Sequence, residues 1–264
     1  MDMKIFYDSE ARLYMQNIII DKLREIEKSE NIKILLAVES GSRAWGFASP
    51  DSDYDVRFIY VRPKEFYLKL EKTRDVIELP INDELDISGW DLKKALTLLH
   101  NSNPTLFEWL SSPIVYYKTD FADKYSDEFD SYFSVKKSLY HYLHMAENNN
   151  HDFLKGDVVK LKKYFYVLRP VLACKWILEN KSQPPMRFTE LLDLQLPNYL
   201  TPEVNKLLDT KINAPEIKMI KRVEIINDYL ERSIEDIKQS LDMISPDTDK
   251  SWNQLNEIFL SELS

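Results

Sequence analysis

The chain has little glycine, almost no cysteine and too little positive charge for its length. It holds 264 residues, with four glycines, at Gly41, Gly46, Gly89 and Gly156, and one cysteine, Cys174. A lone cysteine forms no internal disulfide, so a reducing, cytoplasmic setting is expected, with Cys174 a buried, inert thiol among apolar neighbours. No apolar run reaches 18 residues, and Met1 opens a charged segment, so neither a membrane span nor a signal peptide is expected. Lys and Arg number 35 against 44 Asp and Glu, a net charge of -9. That balance argues against a broad, nonspecific nucleic-acid surface, which needs a positive field, and leaves room for a local basic groove. Repeats and low-complexity tracts are absent. Hydrophobic residues make up 44% and aromatics 12%, ample for a packed core in one large domain or two small ones.

Two of the four glycines fall in one stretch, LLAVESGSRAWGFASPDSDYDVRFIYV, from Leu35 to Val61. An apolar run at 34–38 ends at Glu39, Ser40 and Gly41, which predicts a buried strand and a tight turn. A second strand at 53–61 alternates. Tyr54, Val56, Phe58 and Tyr60 share one face, and Asp53, Asp55, Arg57 and Ile59 share the other. Asp53 and Asp55 therefore project together. Their mutual repulsion is offset by a divalent cation that prefers hard oxygen ligands. The Asp51, Asp53, Asp55 spacing also matches the start of a calcium loop. That loop requires glycine at its sixth position and glutamate at its twelfth, where Val56 and Arg62 stand, so this reading is rejected.

The rest of the chain divides by pattern. Helix is predicted at 8–29, 65–71, 91–100 and from Asn103-Pro104 onward, and strand at 75–79, 84–90 and, as an edge, 113–117. After Asp120 the pattern is helical throughout, at 135–147, 158–179, 189–194, 203–209, 216–243 and 252–260. The expected architecture is an α/β (α+β) domain with a small mixed sheet over residues 1–119, then an all-helical domain over 120–264.

Gly41-Ser42 followed about a dozen residues later by Asp53-Tyr54-Asp55 resembles the signature of the DNA polymerase beta superfamily of nucleotidyltransferases. The longer string GSRAWGFASPDSDYDVRFIYV is similar to a bacterial and phage subfamily of predicted nucleotidyltransferases, the YcgL-like group, some of whose members are linked with RNA repair. DELDISGWDLKKAL, NPTLFEWLSSPIVY and KKYFYVLRP extend the resemblance to about residue 190. It implies that Asp53 and Asp55 hold metal, and that a third acid, Asp86, sits beside them on the next strand and helps deprotonate the acceptor. Gly41, Ser42 and Arg43 would grip phosphates, and Mg²⁺, as one ion or two, with Mn²⁺ as a substitute, would be the cofactor. Each part also has a plain structural reading. An Asp-x-Asp pair is often a solvated strand end, Gly-Ser an ordinary turn, and Asp86 a solvent-facing acid.

The helix at 158–179 carries Lys162, Tyr166 and Arg169 on one face, within a run from Lys155 to Arg187 holding eight basic residues against two acids. Lys162 and Arg169 are expected to face the nucleotide, with Pro170 shaping that wall by a kink. The alternatives are a solvated basic face or pairing with acids of a neighbouring helix. His141, His144 and Glu147 have metal-ligand spacing but lack a fourth ligand, which favours a structural role.

The expected activity is Mg-dependent transfer of a nucleoside monophosphate from a nucleoside triphosphate to an acceptor hydroxyl. An RNA end, a protein side chain and a small molecule stay open as acceptors, with RNA favoured by the linkage of relatives to RNA repair. A non-catalytic nucleotide-binding or regulatory protein is the alternative. Residues beyond about 190, base preference and oligomeric state carry no legible signal.

Overall fold

The computed structural model describes residues 2–80, 84–215, 217–245, 247 and 250–263, with the backbone alone for 2–12. The elements run α1 (Asp2–Glu30), β1 (Lys33–Glu39), α2 (Gly41–Trp45), β2 (Tyr54–Val61), α3 (Lys64–Tyr67), β3 (Val76–Glu78), β4 (Leu85–Asp91), α4 (Leu92–His100), α5 (Pro104–Leu110) and β5 (Val115–Lys118). There follow α6 (Phe121–Lys124), α7 (Ser126–Ser131), α8 (Val135–Phe153), β6 (Val158–Lys160), α9 (Leu161–Asn180), α10 (Phe188–Gln195), α11 (Thr201–Asn213), β7 (Met219–Lys221), α12 (Glu224–Asp242) and α13 (Asn253–Glu262).

Among the described residues, five strands form one mixed sheet in the order β3-β4-β2-β1-β5. β2 and β4 run parallel, with Asp55 opposite Asp86 and Phe58 opposite Gly89, while the other pairs are antiparallel. β1 is buried from Ile34 to Glu39, as expected of a central strand with both faces covered. Ile19, Leu23 and Ile26 of α1 pack on Ile34, Ala37, Val56, Phe58 and Tyr60 on one side. On the other side, Leu92, Leu96 and Leu99 of α4 and Phe107 of α5 cover Val38, Ile59 and Val61. Gly89 is dictated by packing, since a Cβ there would stand 2.2 Å from the Phe58 ring.

One expectation needs correction. The region after Asp120 is not purely helical. Val158–Lys160 pairs antiparallel with Met219–Lys221, so the predicted helices at 158–179 and 216–243 begin later, at Leu161 and Glu224. Glu216 itself lies outside the described residues. Packing also crosses the expected boundary near Thr119. Phe121, Phe129 and Tyr132, and Leu255 and Ile258 of α13, join the core over β1 and α4. A second core, built from α8 to α12, takes in Phe47 from the loop between α2 and β2.

Candidate functional site

The turn after β1 sets the geometry. Gly41 has φ +60, the left-handed region that glycine tolerates best. A Cβ at this position would lie 2.1 Å from Asp55 Oδ2. The turn and the Asp55 carboxylate are therefore in close contact. Behind them sits Glu39, fully buried. Its Oε1 accepts the Asp55 backbone N–H at 2.9 Å, and the Tyr116 hydroxyl donates to Oε2. Burial pushes the Glu39 carboxyl up to about 7, against the lowering effect of the Tyr116 hydrogen bond.

The loop that carries Asp53 is held from the helical side. Phe47 packs on Phe165 and Phe188, with ring centroids 5.1 and 5.3 Å away. Ser49 and Ser52 bond each other, and the buried Lys211 of α11 donates to Ser49 Oγ at 2.6 Å. Arg43 Nε donates to the Asp53 carbonyl at 3.0 Å, and its guanidinium reaches the Ser52 carbonyl at 2.6 Å and stacks on the Tyr54 ring. The fork that was expected to grip phosphate thus braces the backbone leading to Asp53, and Arg43 does not line the cleft.

That cleft has a volume of about 520 Å³. Gly41, Ser42, Asp53, Asp55 and Arg57 form one wall, and Lys162, Phe165, Tyr166, Arg169 and Pro170 of α9 form the other. Glu108, His141, Tyr142 and Trp45 also line it. Six of the predicted residues therefore share one cavity. Arg169 does so as a buried ion pair, 3% exposed, with its guanidinium 2.7 Å from Glu108 Oε1 and over the Trp45 ring. The Tyr142 hydroxyl donates to the same Glu108 oxygen at 2.9 Å. Of the readings open for Arg169, the structure shows pairing with an acid of a neighbouring helix. His141 lines the cleft, and burial lowers its pKa, which favours the neutral ring. His144 contacts Glu147 instead, at 3.5 Å.

Asp86 stands opposite Asp55 across the parallel pair, and Arg57 lies between them. Its Nη2 donates to Asp55 Oδ1 at 3.0 Å and to Asp86 Oδ2 at 2.7 Å, and its Nη1 donates to the Asp86 carbonyl at 2.8 Å. Among the described residues no three His, Cys, Asp or Glu side chains come together as a metal-ligand group. The residues that fit a hard divalent cation are Asp53 and Asp55, two oxygen donors on the cleft wall. Asp86 meets Asp55 through the Arg57 guanidinium. The sequence motifs do not single out Arg57, Glu39 or Glu108. Arg57 carried a signal, since it lies two residues after Asp55 on the same strand face. The others become site residues only through packing.

A model of the RNA repair pathway DNA polymerase beta family matches residues 15–261. This chain belongs to that family. The resemblance read from Gly41-Ser42 and Asp53 to Asp55 is borne out, and family membership gives the chain a general role in nucleotidyl transfer. The chain is similar to the uncharacterized protein YcgL of Bacillus subtilis (strain 168), at 47% identity over 249 residues, covering 94% of this chain and 96% of that one. A nucleotidyltransferase-like protein from Exiguobacterium sibiricum 255-15, of known crystal structure, aligns over 93% of this chain and 79% of that one. Identity there is 15% and the TM-score 0.31, too low to carry any residue across. Among the described residues, no helix is long and apolar enough to cross a membrane.

Proposed function

We propose that this family member transfers a nucleoside monophosphate from a nucleoside triphosphate to an acceptor hydroxyl, with an RNA end as the acceptor. The observation that carries the reading is the cleft itself. The Gly41 turn sits against Asp55, Asp53 stands beside it, and Lys162 faces both from α9. The family's description supplies the preference for RNA.

In this reading the acceptor oxygen attacks the α-phosphorus, the bridging bond to the β-phosphate breaks and pyrophosphate leaves. The hydroxyl proton passes to a carboxylate of the acid cluster; Asp86, which pairs with Arg57 and is not on the cleft wall, would take it only after Arg57 has moved. Asp53 and Asp55 would hold Mg²⁺, which when bound supplies positive charge against the phosphate oxygens. Gly41 lets the backbone approach the phosphates closely, and Ser42 offers a hydroxyl donor. Lys162 contributes positive charge from the opposite wall. Arg169 acts at one remove, fixing Glu108 and the Trp45 ring that line the cleft.

The test is incubation of the protein with each α-labelled nucleoside triphosphate, Mg²⁺ and RNAs bearing defined 3′ and 5′ ends. Label should enter RNA, and Asp53→Asn should abolish that entry while leaving the melting temperature level or higher. Label that enters protein or small molecules, with RNA unmarked, would overturn the choice of acceptor. Nucleotide binding without any transfer would favour the non-catalytic alternative.

A further inference from the structure

Arg57 supplies no group to the chemistry set out above, yet it is the side chain most engaged with the acids. The parallel register of β2 and β4 places Asp55 directly beside Asp86. Two carboxylates at that spacing repel, and the repulsion grows as solvent is withdrawn; both side chains are 30% exposed. The Arg57 guanidinium, 17% exposed, answers both with one nitrogen, at 3.0 and 2.7 Å. Its second terminal nitrogen is anchored on the Val56 and Asp86 carbonyls, at 3.1 and 2.8 Å.

A hard divalent cation would seek the same carboxylate oxygens. An oxygen already accepting a charge-assisted hydrogen bond from a guanidinium is a poorer ligand, and two cations sharing one carboxylate repel. Arg57 also lines the cleft in which phosphates would lie. Its forked donors match phosphate oxygens as well as they match carboxylates.

We propose that Arg57 is an exchangeable counter-cation. It holds Asp55 and Asp86 while the cleft is free of nucleotide, and it passes from Asp55 to phosphate oxygens when a nucleoside triphosphate enters. A divalent ion alone then binds weakly, and ion and nucleotide bind as a pair. The identity of the ligand rests on the transfer reading. The exchange itself rests on Arg57, Asp55 and Asp86.

The experiment uses the full chain and Mn²⁺ as a hard cation visible by electron paramagnetic resonance. The free-ion signal is titrated with and without a non-hydrolysable triphosphate, for wild type, Arg57→Gln, Arg57→Lys and Asp53→Asn. Arg57→Gln should bind Mn²⁺ alone about 10-fold tighter than wild type or better, the factor expected when one charge-assisted hydrogen bond no longer competes. The gain in Mn²⁺ affinity on adding triphosphate should shrink in the same variant. Arg57→Lys should fall between, because an ammonium keeps the charge but lacks the second nitrogen that anchors the guanidinium on the Val56 and Asp86 carbonyls. Its retained charge keeps the test alive if Arg57→Gln fails to fold. Equal or weaker Mn²⁺ binding by both Arg57 variants, with binding lost in Asp53→Asn, overturns the exchange and leaves the transfer reading standing. Absence of Mn²⁺ uptake in every protein, even with triphosphate, overturns both.

Discussion

At the scale of single residues, Gly41 and Arg169 make opposite demands on the chain. Gly41 is fixed by what it lacks. Alanine there meets Asp55 Oδ2 at 2.1 Å and is strained at φ +60. Gly41→Ala should cost about 1 kcal/mol or more in stability and weaken triphosphate binding by calorimetry about 10-fold or more, since the carboxylate or the turn must move. Unchanged binding would remove this turn from the site. Arg169 is fixed by its partner. Its solvated alternative would have allowed Arg169→Met at little cost. Paired with Glu108 and 3% exposed, Arg169 instead leaves a buried carboxylate behind when it is replaced. Arg169→Met should destabilise by about 3–5 kcal/mol in chemical denaturation, and Arg169→Met with Glu108→Gln should recover part of that loss. Additive losses in the double variant would show that the pair does not act as one unit. Asp53 and Asp55 were legible in the sequence because strand alternation is local. The bridge from Arg57 to Asp86 was not, because it spans 29 positions and depends on which strand lies beside β2.

At the scale of elements, capping and period were readable, and short pairings were not. Asn103-Pro104 starts α5 as expected, with the Asn103 side chain accepting from the Thr105 and Leu106 N–H groups. β6 and β7 are three residues each, too short for alternation to separate them from helix, and only their pairing with each other makes them strands. Asp91 caps α4 by accepting the Lys93 N–H at 2.8 Å, and it also accepts the Tyr67 hydroxyl at 2.9 Å. Burial raises its pKa from an ordinary 3.8, against those two bonds. The folded state therefore holds the Asp91 proton more tightly than the unfolded chain does. Its stabilising contribution is full below the unfolded value and declines as pH rises through the folded one. Asp91→Asn keeps a good cap and does not titrate. The melting temperature of Asp91→Asn minus that of wild type should increase from pH 4 upward. A difference independent of pH would mean that the buried carboxyl is not perturbed as its surroundings imply.

At the scale of the whole molecule, the chain ties its two cores together through segments whose packing partners the sequence does not reveal. The amphipathic pattern of 252–260 shows that a helix has an apolar stripe, and it cannot show which surface that stripe meets. The answer is the sheet side. Leu255 and Ile258 pack with Leu92, Leu99 and Phe129, and Trp252 stacks on His100 of α4 with ring centroids 3.7 Å apart. In the other direction, Phe47 and Ser49 of the acid-bearing loop are held by α9, α10 and α11. If residues 120–264 formed a body independent of the sheet, a cavity in α13 would loosen the helices α8 to α12 and spare the strands. The packing implies the reverse. Leu255→Ala removes a side chain that is 2% exposed and should cost about 2–5 kcal/mol. Hydrogen exchange should then quicken in β1, β2 and α4 more than in α9. Because Asp53 immediately precedes β2 and Asp55 is its second residue, nucleotide affinity should fall with it, although α13 contributes no residue to the cleft. Exchange that quickens in α9 while β1 stays protected would instead place α13 with the helical core and restore a division near Thr119.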